Sequence, residues 1–230
     1  NALQGGAHAI DLVESEDFYQ TATADPAYRQ TLVYGNLIRK NGEDGSAIHY
    51  GGDHYGSSPA TPNWGEPIFR KGTLYFYHNS VHLEGQSAVL FQLSTTEEHL
   101  EAWNNVLSFA GSVTYPALRS RSEVNPAHWT AGGTVHLGKN WVSARLADAD
   151  PWHPVPGTVT GWSSLLRGDA LPYDPANFVP LAAGALLDAA QPDLSVVAAS
   201  PVRFQYGLIQ HAIRPRAVQG AAADLGAVER

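Results

Sequence analysis

Ten histidines in 230 residues are more than usual for a chain of this length, and they are the first place to look for chemistry. In His78-Asn79-Ser80-Val81-His82-Leu83-Glu84, His78, His82 and Glu84 stand at i, i+4 and i+6. Side chains alternate along a strand, so all three would share one face. Two imidazoles and a carboxylate on one face would suit a divalent metal. His49 and His54 bracket Asp53 in a glycine-rich stretch and would extend such a set. A polar strand face with surface histidines accounts for the same pattern. No cofactor is otherwise expected.

A second group lies further along, where Arg119-Ser120-Arg121-Ser122-Glu123 precedes His128, His136 and His153. Trp129, Trp141, Trp152 and Trp162 accompany it. Indole rings stack on flat sugar faces, so tryptophans beside Arg, Glu and His suit carbohydrate recognition. Core or interface packing explains the same rings.

Three short segments, Arg121-Ser122-Glu123-Val124, Trp152-His153 and Phe204-Gln205-Tyr206-Gly207, are similar in order to motifs of the jelly-roll polysaccharide lyases. The resemblance covers about a dozen residues. It implies that Arg121 neutralises a uronate carboxylate, while His153 or Tyr206 moves protons. The glutamine before the histidine motif and the lysine of the last motif are absent, so the resemblance does not assign the family.

Other chemistries are excluded. The chain has no cysteine, which removes thiolate nucleophiles, disulfides and zinc–thiolate sites. It lacks the phosphate-binding G-x-x-x-x-G-K-[ST] loop, a G-x-G-x-x-G turn and a G-x-S-x-G elbow. No run approaches the roughly 18 apolar residues of a membrane helix. The formal charge is −8, which gives no strong signal for nucleic acid.

The elements that would position these groups are of both kinds. Ser94-Thr95-Thr96-Glu97 has capping-box spacing, and Leu100, Trp103, Leu107 and Ala110 follow at helical intervals. This predicts a helix over 95–110. Asp25-Pro26 and Asp174-Pro175 are helix-start signals that predict helices near 26–40 and 176–190. Thr73–Tyr77 and Ala88–Leu93 read as strands, and Val135–Leu137 with Trp141–Leu146 as a hairpin-like pair. The expected class is α+β, largely antiparallel, with about three helices packed on the sheet. One globular domain over 1–213 would be followed by a tail or arm over 214–230.

With no motif complete, the leading expectation is a non-enzymatic structural or assembly protein. It would be a coat- or shell-like, capsid-like subunit making homo-oligomeric contacts. The alternatives are a carbohydrate-active enzyme, lyase-like or metal-dependent, and a carbohydrate-binding module. Compartment is left open; secreted and virion-associated settings both fit a soluble chain.

Overall fold

The computed structural model describes residues 1–4, 8–13, 19–22, 24–40, 45–51, 70–93, 98–121, 133–152, 155 and 157–230. The chain winds in successive coils, the first four each giving one strand to each of three parallel sheets. The first coil holds β1 (Ala2–Gln4), β2 (Ile10–Leu12) and β3 (Gln30–Tyr34). The second holds β4 (Leu37–Lys40), β5 (Ser46–Tyr50) and β6 (Gly72–Tyr77), and the third β7 (Ser80–Leu83), β8 (Ser87–Leu93) and β9 (Glu98–Trp103). The fourth contributes β10 (Val106–Phe109), β11 (Tyr115–Arg121) and β12 (Thr134–Leu137). Then come β13 (Asn140–Ser143), β14 (Val159–Thr160) and β15 (Leu165–Gly168). The six-stranded sheet runs β1-β4-β7-β10-β13-β15, the four-stranded sheet β11-β8-β5-β2, and the five-stranded sheet β14-β12-β9-β6-β3. This is a parallel β-helix, a solenoid in which each coil rests on its neighbours.

Inward residues form columns in strict register. Leu3, Ile38, Val81, Leu107 and Val142 stack across five strands of the first sheet. Leu74, Leu100, Val135 and Val159 do the same in another. Together with Phe76 and Phe91, ring centroids 5.1 Å apart, they fill one continuous core.

The corner between the five- and six-stranded sheets is built from a two-residue step. A left-handed residue, Gly35, His78 or Asn104 (φ 65°, 50° and 57°), is followed by an asparagine turned into the coil. Asn79 Oδ1 accepts from Asn36 N–H and Nδ2, Asn105 Oδ1 from Asn79, and Asn140 Oδ1 from Asn105, all at 2.8–3.1 Å. The Nδ2 groups of Asn79, Asn105 and Asn140 also donate to carbonyls of the preceding coil, Val33, Phe76 and Ala102. Four buried amides are thereby satisfied, which a core requires.

The α+β, antiparallel expectation is overturned. Of the stretch predicted as a helix near 26–40, 26–29 form turns and 30–40 hold β3 and β4, and 98–109 of the second hold β9 and β10. Leu100, Trp103, Leu107 and Ala110 recur every three to four residues because two strands meet at a corner, with Asn104 and Asn105 between them. The capping-box residues 94–97 lie outside the described residues. The third predicted helix, 176–190, is a series of turns; Phe178 and Asp188 have positive φ, which breaks helical continuity. Among the described residues the α-helix is a single four-residue turn, Tyr19–Ala22. The 135–137 and 141–146 pair is no hairpin, since β12 and β13 belong to different sheets. Antiparallel pairing among the described residues is limited to β16 (Phe204–Gly207) with β17 (Ala212–Pro215) and an isolated Tyr173–Pro180 bridge.

After β15 the chain leaves the coil and packs back over the outside of the six-stranded sheet. Leu37, Val106 and Trp141 there are covered by Tyr173, Phe178, Leu186, Leu225, Ala227 and Val228. Residues 224–229, in the stretch expected as a tail or arm, are thus buried against the solenoid.

Candidate functional site

On the outer face of the six-stranded sheet, Gln4, Arg39, His82 and Ser108 occupy one register column. Tyr173 descends onto it from the returning segment. Its hydroxyl lies 2.6 Å from Ser108 Oγ and 3.1 Å from His82 Nδ1, and Ser108 Oγ lies 3.0 Å from that nitrogen. Ser108 donates to the Val81 carbonyl at 2.7 Å, so Tyr173 is the donor toward Ser108. Burial pushes the Tyr173 hydroxyl up to about 12. Burial also lowers the His82 pKa, opposed by Glu84 at 3.7 Å and reinforced by Arg39. All three groups are under 8 % exposed. They form a neutral brace rather than a reacting centre.

The brace ends at an open cleft. Tyr173 stacks on Phe178 at 5.1 Å, and the Arg39 guanidinium lies 5.4 Å over the Phe178 ring while donating to the Pro175 carbonyl. Arg39 and Phe178 line a cavity of about 250 Å³ with Ala2, Leu3, Leu37, Tyr206, Leu208 and His211. Tyr206 comes from β16 and His211 from the turn before β17; Tyr206 Oη is 3.2 Å from His211 Nδ1. His211 holds φ 50°, a conformation costly for a non-glycine residue and concentrated at functional positions. No described lining residue carries a carboxylate. In an acidic chain, this cleft has one fixed positive charge and a Tyr–His pair.

A buried clasp holds the hairpin bearing Tyr206 and His211. Arg216, just beyond β17, pairs with Glu229 at 2.8 Å, both under 5 % exposed in their side chains. It also donates to the Asp224 and Gly226 carbonyls and lies 3.3 Å from His78 Nδ1. His78 Nε2 lies 3.1 Å from Asp193 Oδ1. One neutral tautomer satisfies both contacts: Nε2–H donates to Asp193, and Nδ1 accepts from Arg216. Burial is the main cause lowering His78, partly countered by Asp193. Burial alone would raise Asp193, but hydrogen bonds from His78, Trp103 and Asn104 leave it below its ordinary value. Burial raises Glu229, with Arg216 opposing.

The sequence-predicted residues divide among these places. His82 and Glu84 do meet, but His78 sits beyond the corner, facing Asp193, so the three do not converge; no metal-holding group of three is found among the described residues. Tyr206 lines the cleft. His153, His54, Asp53 and Trp129 lie outside the described residues, as does the Arg121 side chain. Trp141 is buried beneath the returning segment, Trp152 is exposed against Tyr115, and Trp162 packs at the end of the core under Arg167. These three form no common platform. Arg39 and His211 escaped the sequence reading; the one local sign for Arg39 was its place in a strand after an Asn corner. No protein-family model matches this chain, and no curated protein or solved structure shows significant similarity to it.

Proposed function

We propose that this chain binds and cleaves a linear, uronate-containing polysaccharide by β-elimination at the Arg39–Tyr206–His211 cleft. The observation that carries this reading is the convergence of an arginine with a hydrogen-bonded Tyr–His pair in a cleft whose described lining holds no carboxylate. Hydrolysis of a glycoside ordinarily needs two carboxyl groups across the bond, and the described lining offers none. Elimination next to a carboxylate needs a cation to neutralise that carboxylate, a base and an acid.

The roles follow from hydrogen-bond capacity. With Nδ1–H donating to Tyr206 Oη, His211 keeps a bare Nε2 as the base, and the Tyr206 O–H remains free to donate. Nε2 takes the proton on the carbon beside the carboxylate, and those electrons form the C=C bond. The C–O bond to the neighbouring sugar breaks, and the leaving oxygen takes the Tyr206 proton. The Nδ1 proton then passes to the Tyr206 oxygen, so both side chains end neutral. Arg39 pairs with the substrate carboxylate and stabilises the charge that develops on it.

Uronate polymers incubated with the protein should yield unsaturated products that absorb in the ultraviolet. His211→Ala and Tyr206→Phe should each lower the rate by about 10²–10⁴-fold. Absence of unsaturated product from every uronate polymer would sink the reading, as would full activity in both variants.

A second reading, assembly into a homo-oligomer, is favoured by one observation. The β16–β17 hairpin exposes Phe204, Ile209 and Ile213, the last 73 % accessible; clustered apolar exposure marks contact surfaces. Light scattering at high concentration tests it, and a strictly monomeric species that stays so across salt and pH rejects it.

A further inference from the structure

A second cavity, of about 380 Å³, opens at the adjoining corner and is lined by Asn1, Tyr34, Gly35 and residues 199–204. The two cavities share neighbours along the chain: Asn1 lines one and Ala2 the other, and on β16 Phe204 lines one and Tyr206 the other. Gly35 and Leu37 mark the same continuity from β3 to β4. A linear ligand leaving the first cleft over Ala2 therefore reaches the second.

Its rim is rigid and aromatic. Tyr34 stacks on Tyr77 at 4.8 Å, and Tyr77 on Trp103 at 4.8 Å with rings 3° from parallel. Tyr77 donates to the Ser200 carbonyl at 2.7 Å, tying the stack to the opposite wall. Arg216 N–H donates to the Arg203 carbonyl at 2.9 Å, which anchors that wall to the clasp. Tyr34, at the exposed end of the stack, and Phe204, 59 % exposed, are the aromatic surfaces left open. Arg203 supplies a positive charge, and none of the described lining residues is acidic.

We infer that this second cavity is an additional sugar subsite for the same acidic polysaccharide, with Tyr34 and Phe204 as stacking surfaces and Arg203 as the carboxylate partner. The inference rests on the proposed function. Two linked subsites gain affinity from chain length without a new kind of contact, so six-unit oligouronates bind more tightly than two-unit ones.

Calorimetric titration with purified two-unit and six-unit oligouronates tests this. Phe204→Ala and Arg203→Gln should each weaken hexamer binding by about tenfold and leave dimer binding unchanged. Both residues lie at the surface, so the variants are expected to fold; a melting curve verifies this. If both variants bind the hexamer like the unaltered protein while Arg39→Ala loses it, the second subsite is refuted and the first cleft stands. If the unaltered protein binds neither oligomer, the proposed function fails, and the subsite fails with it. Equal affinity for a neutral hexasaccharide would overturn the role given to Arg203.

Discussion

The coils and the returning segment, residues 169–230, are held together by opposite means. Each coil repeats its neighbour's contacts: Asn79, Asn105 and Asn140 make the same bonds at the same corner, over columns of aliphatic side chains in register. The returning segment has few ladder bonds of its own. It is fixed by singular contacts such as Arg216–Glu229, Ala227 N–H to Ser80 Oγ at 3.0 Å and Gly226 N–H to the Asn104 carbonyl at 2.9 Å. Repetition gives the solenoid stability that spreads over many equivalent contacts. The segment bearing Tyr206 and His211 depends on a handful, so the candidate site is built on the less redundant part.

The largest effect should come from breaking the repeat. Asn105→Ala removes the acceptor of Asn79 N–H and the donor to the Phe76 carbonyl, both buried. Leaving two such groups without partners should cost about 4 kcal/mol, read as a lower denaturation midpoint. A shift of the whole unfolding transition, coils and segment together, is the expected signature. A destabilisation below about 1 kcal/mol would show that the asparagine ladder is dispensable.

Arg216→Met should cost about 3 kcal/mol, because Glu229 is left charged and buried without its partner. Here the comparison predicts a local result: hydrogen exchange should quicken over residues 204–230 while the coil strands stay protected. Uniform quickening would mean that the segment and solenoid are one cooperative unit. Gly226→Ala tests the same seam more gently. The residue has φ 93°, and an added Cβ would stand 2.5 Å from Ser80 Oγ and 3.0 Å from Val106 Cγ2. A cost of about 2 kcal/mol is expected, confined to the same segment.

This division also explains what the sequence could disclose. Thr73–Tyr77 and Ala88–Leu93 were legible as strands because β-branched and aromatic residues crowd there. The coil was hidden because its repeat has no fixed period. Tyr34-Gly35-Asn36, Tyr77-His78-Asn79, Trp103-Asn104-Asn105 and Gly138-Lys139-Asn140 mark four equivalent corners. Loops of different length separate them, so no constant spacing betrays them. Two strands joined by such a corner imitate helical periodicity, which misled the reading of 98–109. In the candidate site, Tyr206 drew notice through a short motif, and it lines the cleft. Arg39 and His211 were not, since they are 172 residues apart and meet only because the segment folds back.

The smallest effect separates the two regions by pH. Burial lowers both His78, in the clasp, and His82, in the coil. Below the ordinary histidine value of about 6.5, the unfolded chain takes up protons at these positions that the folded chain does not. The unfolded state then binds more protons, so stability falls as pH falls. Each histidine can contribute at most about 1.4 kcal/mol per pH unit to this loss. Glu229 acts in the opposite sense: its raised carboxyl binds a proton in the folded state above its ordinary 4.5, so the loss should flatten as pH approaches that value. His78→Asn keeps a residue that tolerates positive φ and removes one of the two titrations. Urea unfolding at pH 7.5 and 5.5 should then show a smaller loss than in the unaltered protein, with His82 contributing to what remains. A loss undiminished in His78→Asn would place the titration elsewhere than at His78.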